Sequence, residues 1–181
     1  MGLYKLKKID GNIETGILEK VKTDSIDYEK DFENWLENSP AVLLDDDSES
    51  TVLWIGRQVS ATVGDVGKYP DLIGIDANGD LVIVELKKGK TPREVVAQIL
   101  EYASWGAALN YDDLNDISQN YYSKDKDLSG KSLLQIYHDV FLPDSEEETN
   151  MQFNINQKLY IVAEEISPIV KQVATHLRSR Y

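Results

Sequence analysis

Apolar residues recur along this chain with two different periods, and the switches between them mark its elements. Residues 3–9 and 13–21 alternate apolar and polar side chains on either side of Asp10-Gly11-Asn12, the pattern of a hairpin closed by a glycine turn. Over 26–38 the spacing becomes helical. Ile26, Tyr28, Phe32, Trp35 and Leu36 fall mainly on one face, Asp24 or Ser25 supplies an N-cap, and Pro40 stands beyond the end. After an acidic loop at 45–50, the β-branched and aromatic run 51–63 predicts one strand carrying Arg57 and Gln58, followed by a glycine-bearing loop at 64–68.

Residues 69–76 and 81–86 are apolar almost throughout, which fits central strands covered on both faces, and Ala77-Asn78-Gly79 joins them as a hairpin. In Thr91-Pro92-Arg93-Glu94 a threonine N-cap, a proline at the first helical position and a glutamate three after the cap predict a helix from Pro92 to about Leu109. The stretch 110–156 is polar and aspartate-rich, with a short helix expected around 132–141 and an acidic loop after Pro143. Residues 159–163 read as another buried strand. Ser167-Pro168 opens a last helix expected to be still running at Tyr181, an ending abrupt enough to suggest a piece of a longer protein. The whole reads as one α/β domain over 26–181, with the hairpin of 1–25 as an extension.

Length and composition narrow this further. A chain of 181 residues buries one substantial core, and one domain is the ordinary outcome at that size. A hydrophobic content of 41% sets it apart from disordered sequences. No apolar run approaches the roughly 20 residues needed to cross a bilayer, and residues 1–8 lack the apolar stretch of a signal peptide, so a soluble, cytoplasmic protein is expected. The absence of cysteine removes disulfides, thiolate zinc sites and cysteine nucleophiles together. His138 and His176 are isolated, so any bound metal has to be held by oxygens. The net charge of -13 opposes binding to a polyanion, whose affinity comes mostly from lysine and arginine. The average conceals an asymmetry, however: acidic residues crowd into 24–49 and 144–148, whereas Lys5, Lys7 and Lys8, the stretch 87–93 and the stretch 171–180 are locally basic.

In the central hairpin the length of the turn decides which residues meet, because side chains alternate faces along a strand and opposed residues share one. A two-residue turn at Asn78-Gly79 pairs Asp71 with Leu86 and puts the aspartate on the face opposite Glu85 and Lys87. A three-residue loop, with Gly79 as the left-handed residue of a bulge, pairs Asp76 with Asp80 and Asp71 with Glu85, and Lys87 joins the same face. Two carboxylates and an ammonium then stand at one end of a strand pair whose other positions, Ile73, Ile75, Leu81 and Ile83, are apolar. Burying two carboxylates together is costly unless a cation compensates. Magnesium is the natural one, since a hard ion held by carboxylate oxygens can acidify a water and neutralise charge on a phosphorane-like transition state. Phosphodiester hydrolysis is the chemistry implied, with Lys87 positioning or deprotonating the attacking water, or pairing with the scissile phosphate.

Pro70-Asp71, followed fourteen positions after the aspartate by Glu85-Leu86-Lys87, resembles the signature of the PD-(D/E)xK, or restriction-endonuclease-like, nuclease superfamily. With Glu29 on the early helix and with Gln98 and Tyr102 one helical turn apart, the set is similar to that of the C-terminal nuclease domain of archaeal mismatch-specific, branched-DNA endonucleases of the NucS type. The resemblance covers about 26–106. The phrases Glu-Asn-Ser-Pro at 37–40, Ile-Gly-Arg-Gln at 55–58 and Thr-Pro-Arg-Glu at 91–94, and the closing Val162-Ala163-Glu164-Glu165, also resemble a group of small nuclease-fold proteins related to that domain. It implies a restriction-endonuclease-like mixed sheet flanked by helices, Mg2+ or Mn2+ held by Glu29, Asp71 and Glu85, and catalysis by Asp71, Glu85, Lys87 and Gln98. The substrate implied is DNA, single-stranded or branched, cut by an endonuclease or an exonuclease with the endonuclease favoured, and a homodimer is a common form. Glu33 lies one turn from Glu29 on the same helix face, and the choice between them rests on the offset from Pro40. The DNA-binding domain of those endonucleases has no counterpart in the first 25 residues, so their specificity does not carry over.

Plainer readings stand beside these. Arg57, Lys88, Lys90, Arg93 and Tyr102 are candidate DNA contacts, yet Arg57 fits a pairing with nearby carboxylates as well, Lys88 and Lys90 fit solvated positions, and Tyr102 fits a half-buried helix position. Trp35, Trp54 and Trp105 are expected in the core rather than in a base-stacking platform. The aspartates at 45–47 belong to a solvated loop with at most weak calcium affinity. The charge and the missing DNA-binding domain also fit a nuclease-fold module that no longer cuts and serves in binding or assembly. An unrelated hydrolase is disfavoured because nucleophile elbow, phosphate loop and cofactor fingerprint are all lacking.

Overall fold

In chain order the elements are β1 (Tyr4–Ile9), β2 (Asn12–Lys20), α1 (Glu29–Glu37), a 3-10 turn (Pro40–Leu43), β3 (Val52–Arg57), β4 (Ala61–Thr62), β5 (Gly67–Lys68), β6 (Leu72–Asp76), β7 (Leu81–Lys90), α2 (Val95–Gly106), α3 (Tyr111–Tyr121), α4 (Leu133–Phe141), β8 (Gln157–Glu165) and α5 (Pro168–Arg178). The computed structural model describes residues 4–9, 12–20, 29–43, 51–62, 67–68, 70–143 and 151–180, of which 4–9, 12–20, 29, 61–62 and 67–68 are described by backbone alone. The acidic runs at 45–50 and 144–148 and the helix start expected near Asp24 to Ile26 lie outside these residues.

The alternating strands and helices assemble into an α/β fold around a mixed sheet ordered β3-β6-β7-β8, with β7 and β8 parallel and the other pairs antiparallel. Helices cover both faces. Leu53, Ile55, Ile73, Ile75, Leu81 and Ile83 meet Tyr102 of α2, Leu114 of α3 and Ile136 of α4 on one side. On the other, Val52, Trp54, Leu72, Val82, Val84 and Leu86 meet Phe32 and Leu36 of α1. This is why β6 and the first six residues of β7 are buried without alternation, as their unbroken apolar runs require. At the N-terminus β1 and β2 pair antiparallel as a separate ribbon, the hairpin that their alternation implies.

Several elements depart from the pattern. The run 51–63 is not one strand: Gln58 takes a left-handed backbone (φ 47°), β3 ends before it, and β4 pairs with β5 in a small ribbon of its own. Thr91 does not cap α2, which begins at Val95. The buried Thr91 hydroxyl instead accepts from Ser167 N at 2.8 Å and donates to Ser167 Oγ at 3.1 Å, so a tertiary bond to the start of α5 displaces the local cap. The polar segment after 110 contains α3, nucleated by a reciprocal capping box between Asn110 and Asp113 and anchored by the buried Leu114. Trp35 is 55% exposed on the outer side of α1, whereas Trp54 is buried and Trp105 packs against the core as expected. As the edge of the sheet, β8 is half-buried rather than buried, with Leu159 37% exposed. The last helix stops at Arg178, before the chain does. Among the described residues no helix is long and apolar enough to cross a membrane.

Candidate active site

The turn between β6 and β7 determines everything around it. Gly79 N donates to Asp76 O at 3.0 Å and Asp76 N to Asp80 O at 3.1 Å, with Gly79 at φ 79°. This is the three-residue loop, and Gly79 is required both by its φ and because a Cβ there would lie 2.8 Å from Gln152 O. Leu81 therefore faces Ile75, Ile83 faces Ile73 and Val84 faces Leu72. One step before the start of β6, this register sets Asp71 opposite Glu85. The Asp71 carboxylate closes the next rung of the ladder itself: its Oδ2 accepts from Leu86 N at 2.7 Å.

Glu85 is 1% exposed, and Lys87, on the same face two residues on, forms an ion pair with its Oε1. From α2, Gln98 Nε2 donates to the Tyr102 hydroxyl at 2.8 Å. Tyr102 is only 2% exposed, and its phenol is held above its ordinary value, first by burial and then by the nearby charges of Glu85 and Asp71, against the opposing effects of Gln98 and Lys87. The structure thus gathers Asp71, Glu85, Lys87, Gln98 and Tyr102 at one end of the hairpin. That burial fits the reading of Tyr102 as a packed position on α2.

The other expected site residues fall elsewhere. A β-bulge at Ile55 shifts the β3–β6 register, so that Trp54 pairs with Gly74 but Arg57 pairs with Leu72. The extra residue turns Arg57 away from the face of Ile55 and toward α1. There its Nη2 lies 2.7 Å from Glu33 Oε2, its Nε donates to the same oxygen at 2.9 Å, and Nη1 donates to Asn34 Oδ1 at 2.7 Å and Glu37 Oε2 at 2.9 Å. Burial works against the guanidinium's charge, but the bonds and charges of Glu33 and Glu37 outweigh it and hold its pKa above the ordinary value. Arg57 is thus bound to α1 by Glu33, Asn34 and Glu37, which fits the pairing with nearby carboxylates expected for it. Glu37 is in turn bonded by the Tyr121 hydroxyl.

Lys88, Lys90 and Arg93 are exposed where β7 leaves the sheet. A register shift between Lys87 and Lys90, with Gly89 at φ 68°, bends the strand there. Gly89 N donates to Glu164 Oε2 at 2.6 Å and Lys90 pairs with Glu165.

A divalent cation fits this chemistry. Asp71 and Glu85 present two carboxylates beside the ammonium of Lys87, and magnesium characteristically takes one or two carboxylates and completes its shell with water. Among the described residues no group of three histidine, aspartate or glutamate side chains gathers around a common point, so the described donor set is this pair. Glu33 is 4% exposed with both oxygens engaged, Oε2 by Arg57 and Oε1 by Gln58 Nε2 at 3.1 Å. Glu29 begins α1 one turn earlier, and its side chain lies outside the described residues. Gln58 is the residue whose part in this neighbourhood the pattern did not reveal; the only sign of it was the phrase Ile-Gly-Arg-Gln.

No protein-family model matches the sequence, and no curated protein matches it significantly. Two solved structures resemble the fold loosely. One is a repair endonuclease from Pyrococcus abyssi, with a TM-score of 0.42, 14% identity, and 96% of this chain aligned to 61% of that one. The other is EndoMS in a complex with double-stranded DNA, with a TM-score of 0.42, 12% identity, and 97% of this chain aligned to 61% of that one. The chain therefore spans about three-fifths of the length of either protein.

Proposed function

We propose that the chain is a metal-dependent nuclease that hydrolyses phosphodiester bonds in DNA, cutting internally, at the hairpin end formed by Asp71, Glu85 and Lys87. The observation that carries this reading is the register set by Gly79, which places Asp71 opposite Glu85 and on the face of Lys87. Asp71 and Glu85 are the metal ligands in this reading, with Mg2+ or Mn2+ supplying charge neutralisation at the scissile phosphate. Glu29 is the third ligand, a choice supported by the commitment of Glu33 to Arg57 and Gln58. The ammonium of Lys87, oriented by Glu85, positions the attacking water or pairs with the phosphate. Gln98 buttresses the pair from α2 through Tyr102. Lys88, Lys90 and Arg93 lie next to the site along the strand exit and are the proposed backbone contacts.

The test is cleavage of single-stranded and branched DNA with magnesium or manganese, by wild type and by Asp71→Ala and Lys87→Ala. Loss of cutting in both variants with folding intact supports the reading, and full activity in either removes it. The net charge of -13 favours one second reading, a nuclease-fold module that binds or assembles without cutting. Metal-dependent cleavage by the purified wild type would count against it.

A further inference from the structure

Resting on that reading of the site, we propose that Gln58 is a positioning residue for Asp71, linking the metal-binding end of the hairpin to α1. Two bonds made by this one residue carry the inference. Its backbone N donates to the carbonyl oxygen of Asp71 at 3.1 Å, and its side-chain Nε2 donates to Glu33 Oε1 at 3.1 Å. Asp71 is thereby held at both ends, its carbonyl by Gln58 and its carboxylate by Leu86 N. The left-handed backbone of Gln58 is a conformation that residues with a Cβ rarely adopt, and glutamine is not a residue that favours it. A glycine would fit the backbone more easily, so the side chain's bond to Glu33 is the evident reason for a glutamine.

The link also fixes where α1 lies. Trp54 Nε1 donates to Glu37 O at 3.1 Å, whereas Arg57 at the end of β3 and Gln58 just after it hold Glu33, one turn earlier on the helix. The helix therefore runs antiparallel to β3, and the turn that begins with Glu29 lies farthest toward the Asp71 end. Gln58 and Arg57 together set the separation between the hairpin carboxylates and that turn. Such outer partners of metal ligands typically change metal affinity about 10-fold to 100-fold when removed.

The test uses the full chain and the variant Gln58→Gly, which keeps the backbone amide and relieves the left-handed strain while deleting the tie to Glu33. Manganese affinity is measured by calorimetry, Leu86 amide exchange in the metal-free protein by NMR, and the unfolding midpoint in urea. The expected result is roughly 10-fold weaker manganese binding and faster Leu86 exchange, with a midpoint unchanged or raised. Glu33→Gln, which retains the side chain's shape, should weaken binding in the same direction. Wild-type binding matched by both variants would overturn the positioning role and leave the site standing. Absence of manganese binding by the wild type would overturn both.

Discussion

The two ends of the β6–β7 hairpin hold the same kinds of residue, two acids and a lysine, in opposite settings. At the turn end, Asp76 Oδ1 accepts from Asn78 N at 2.8 Å and Asp80 N at 3.0 Å, and its other oxygen pairs with Lys158. Asp80 Oδ1 accepts from Asn156 at 3.1 Å. Both acids are buried, at 3% and 8% exposure, and their partners are the turn's own amides and the strand alongside. At the open end exposure is graded: Glu85 is buried, Asp71 and Lys87 are half-buried, and Lys88 is in solvent. The turn-end acids hold a turn together, and the register so fixed leaves Asp71 and Lys87 within reach of solutes beside the buried Glu85. The difference between scaffold and site is thus one of access and partners, since the residue types are alike.

Substitutions at the two ends should separate these roles. The largest effect is expected at the open end, where Asp71→Ala should lower cleavage roughly 10³-fold, about 4 kcal/mol of barrier, with a smaller cost in urea unfolding. Lys87→Ala should lower cleavage as far and also destabilise the fold by leaving Glu85 buried without its ammonium. Asp76→Ala should do the reverse of Asp71→Ala. It leaves Lys158 and two amides without their carboxylate and should cost about 3 kcal/mol in urea unfolding, with the cleavage rate per folded molecule retained. A large loss of cleavage in folded Asp76→Ala would erase the distinction.

Two glycines sharpen it. Gly79→Ala forces a Cβ into the left-handed region and against Gln152 O and should cost about 2 kcal/mol. Gly89→Ala has the same backbone strain but open space around it, so about 1 kcal/mol is expected. Equal losses in thermal unfolding would mean that the packing of the turn adds nothing.

The smallest effect is a pH dependence away from the site. Burial pushes the Tyr122 phenol up to about 12 from 10.0, its hydroxyl donating to Trp54 O at 2.6 Å. The hydrogen bond with Asp76 raises the ammonium of Lys158 above its ordinary 10.5. In both cases the folded state holds the proton more tightly than the unfolded chain. Their stabilisation is therefore complete below the unfolded values and is lost as pH rises through the folded ones. From neutral pH the unfolding midpoint should be level up to about pH 10 and fall between there and about pH 12, and Tyr122→Phe should make that fall shallower.

Much of this was legible in the chain itself, for reasons particular to each element. The apolar runs and Ala77-Asn78-Gly79 defined the central hairpin, and parity alone named the one turn length that could bring Asp71 to Glu85. What stayed hidden depended on contacts between distant segments. Thr91 carries a helix-cap signal that Ser167, 76 residues away, takes for itself. Arg57 changes face because of a bulge at Ile55, which no periodicity announces. Gln58 breaks a run of good strand formers because its backbone and side chain serve Asp71 and Glu33. Trp35 obeys helical spacing, yet its outer position on α1 leaves it exposed.

The most direct test is calorimetric titration of manganese into wild type and Asp71→Ala, each then incubated with single-stranded and branched DNA. Binding and cleavage are expected of the wild type and neither of the variant. Equal binding by both proteins, or cleavage surviving in Asp71→Ala, would contradict the proposed site.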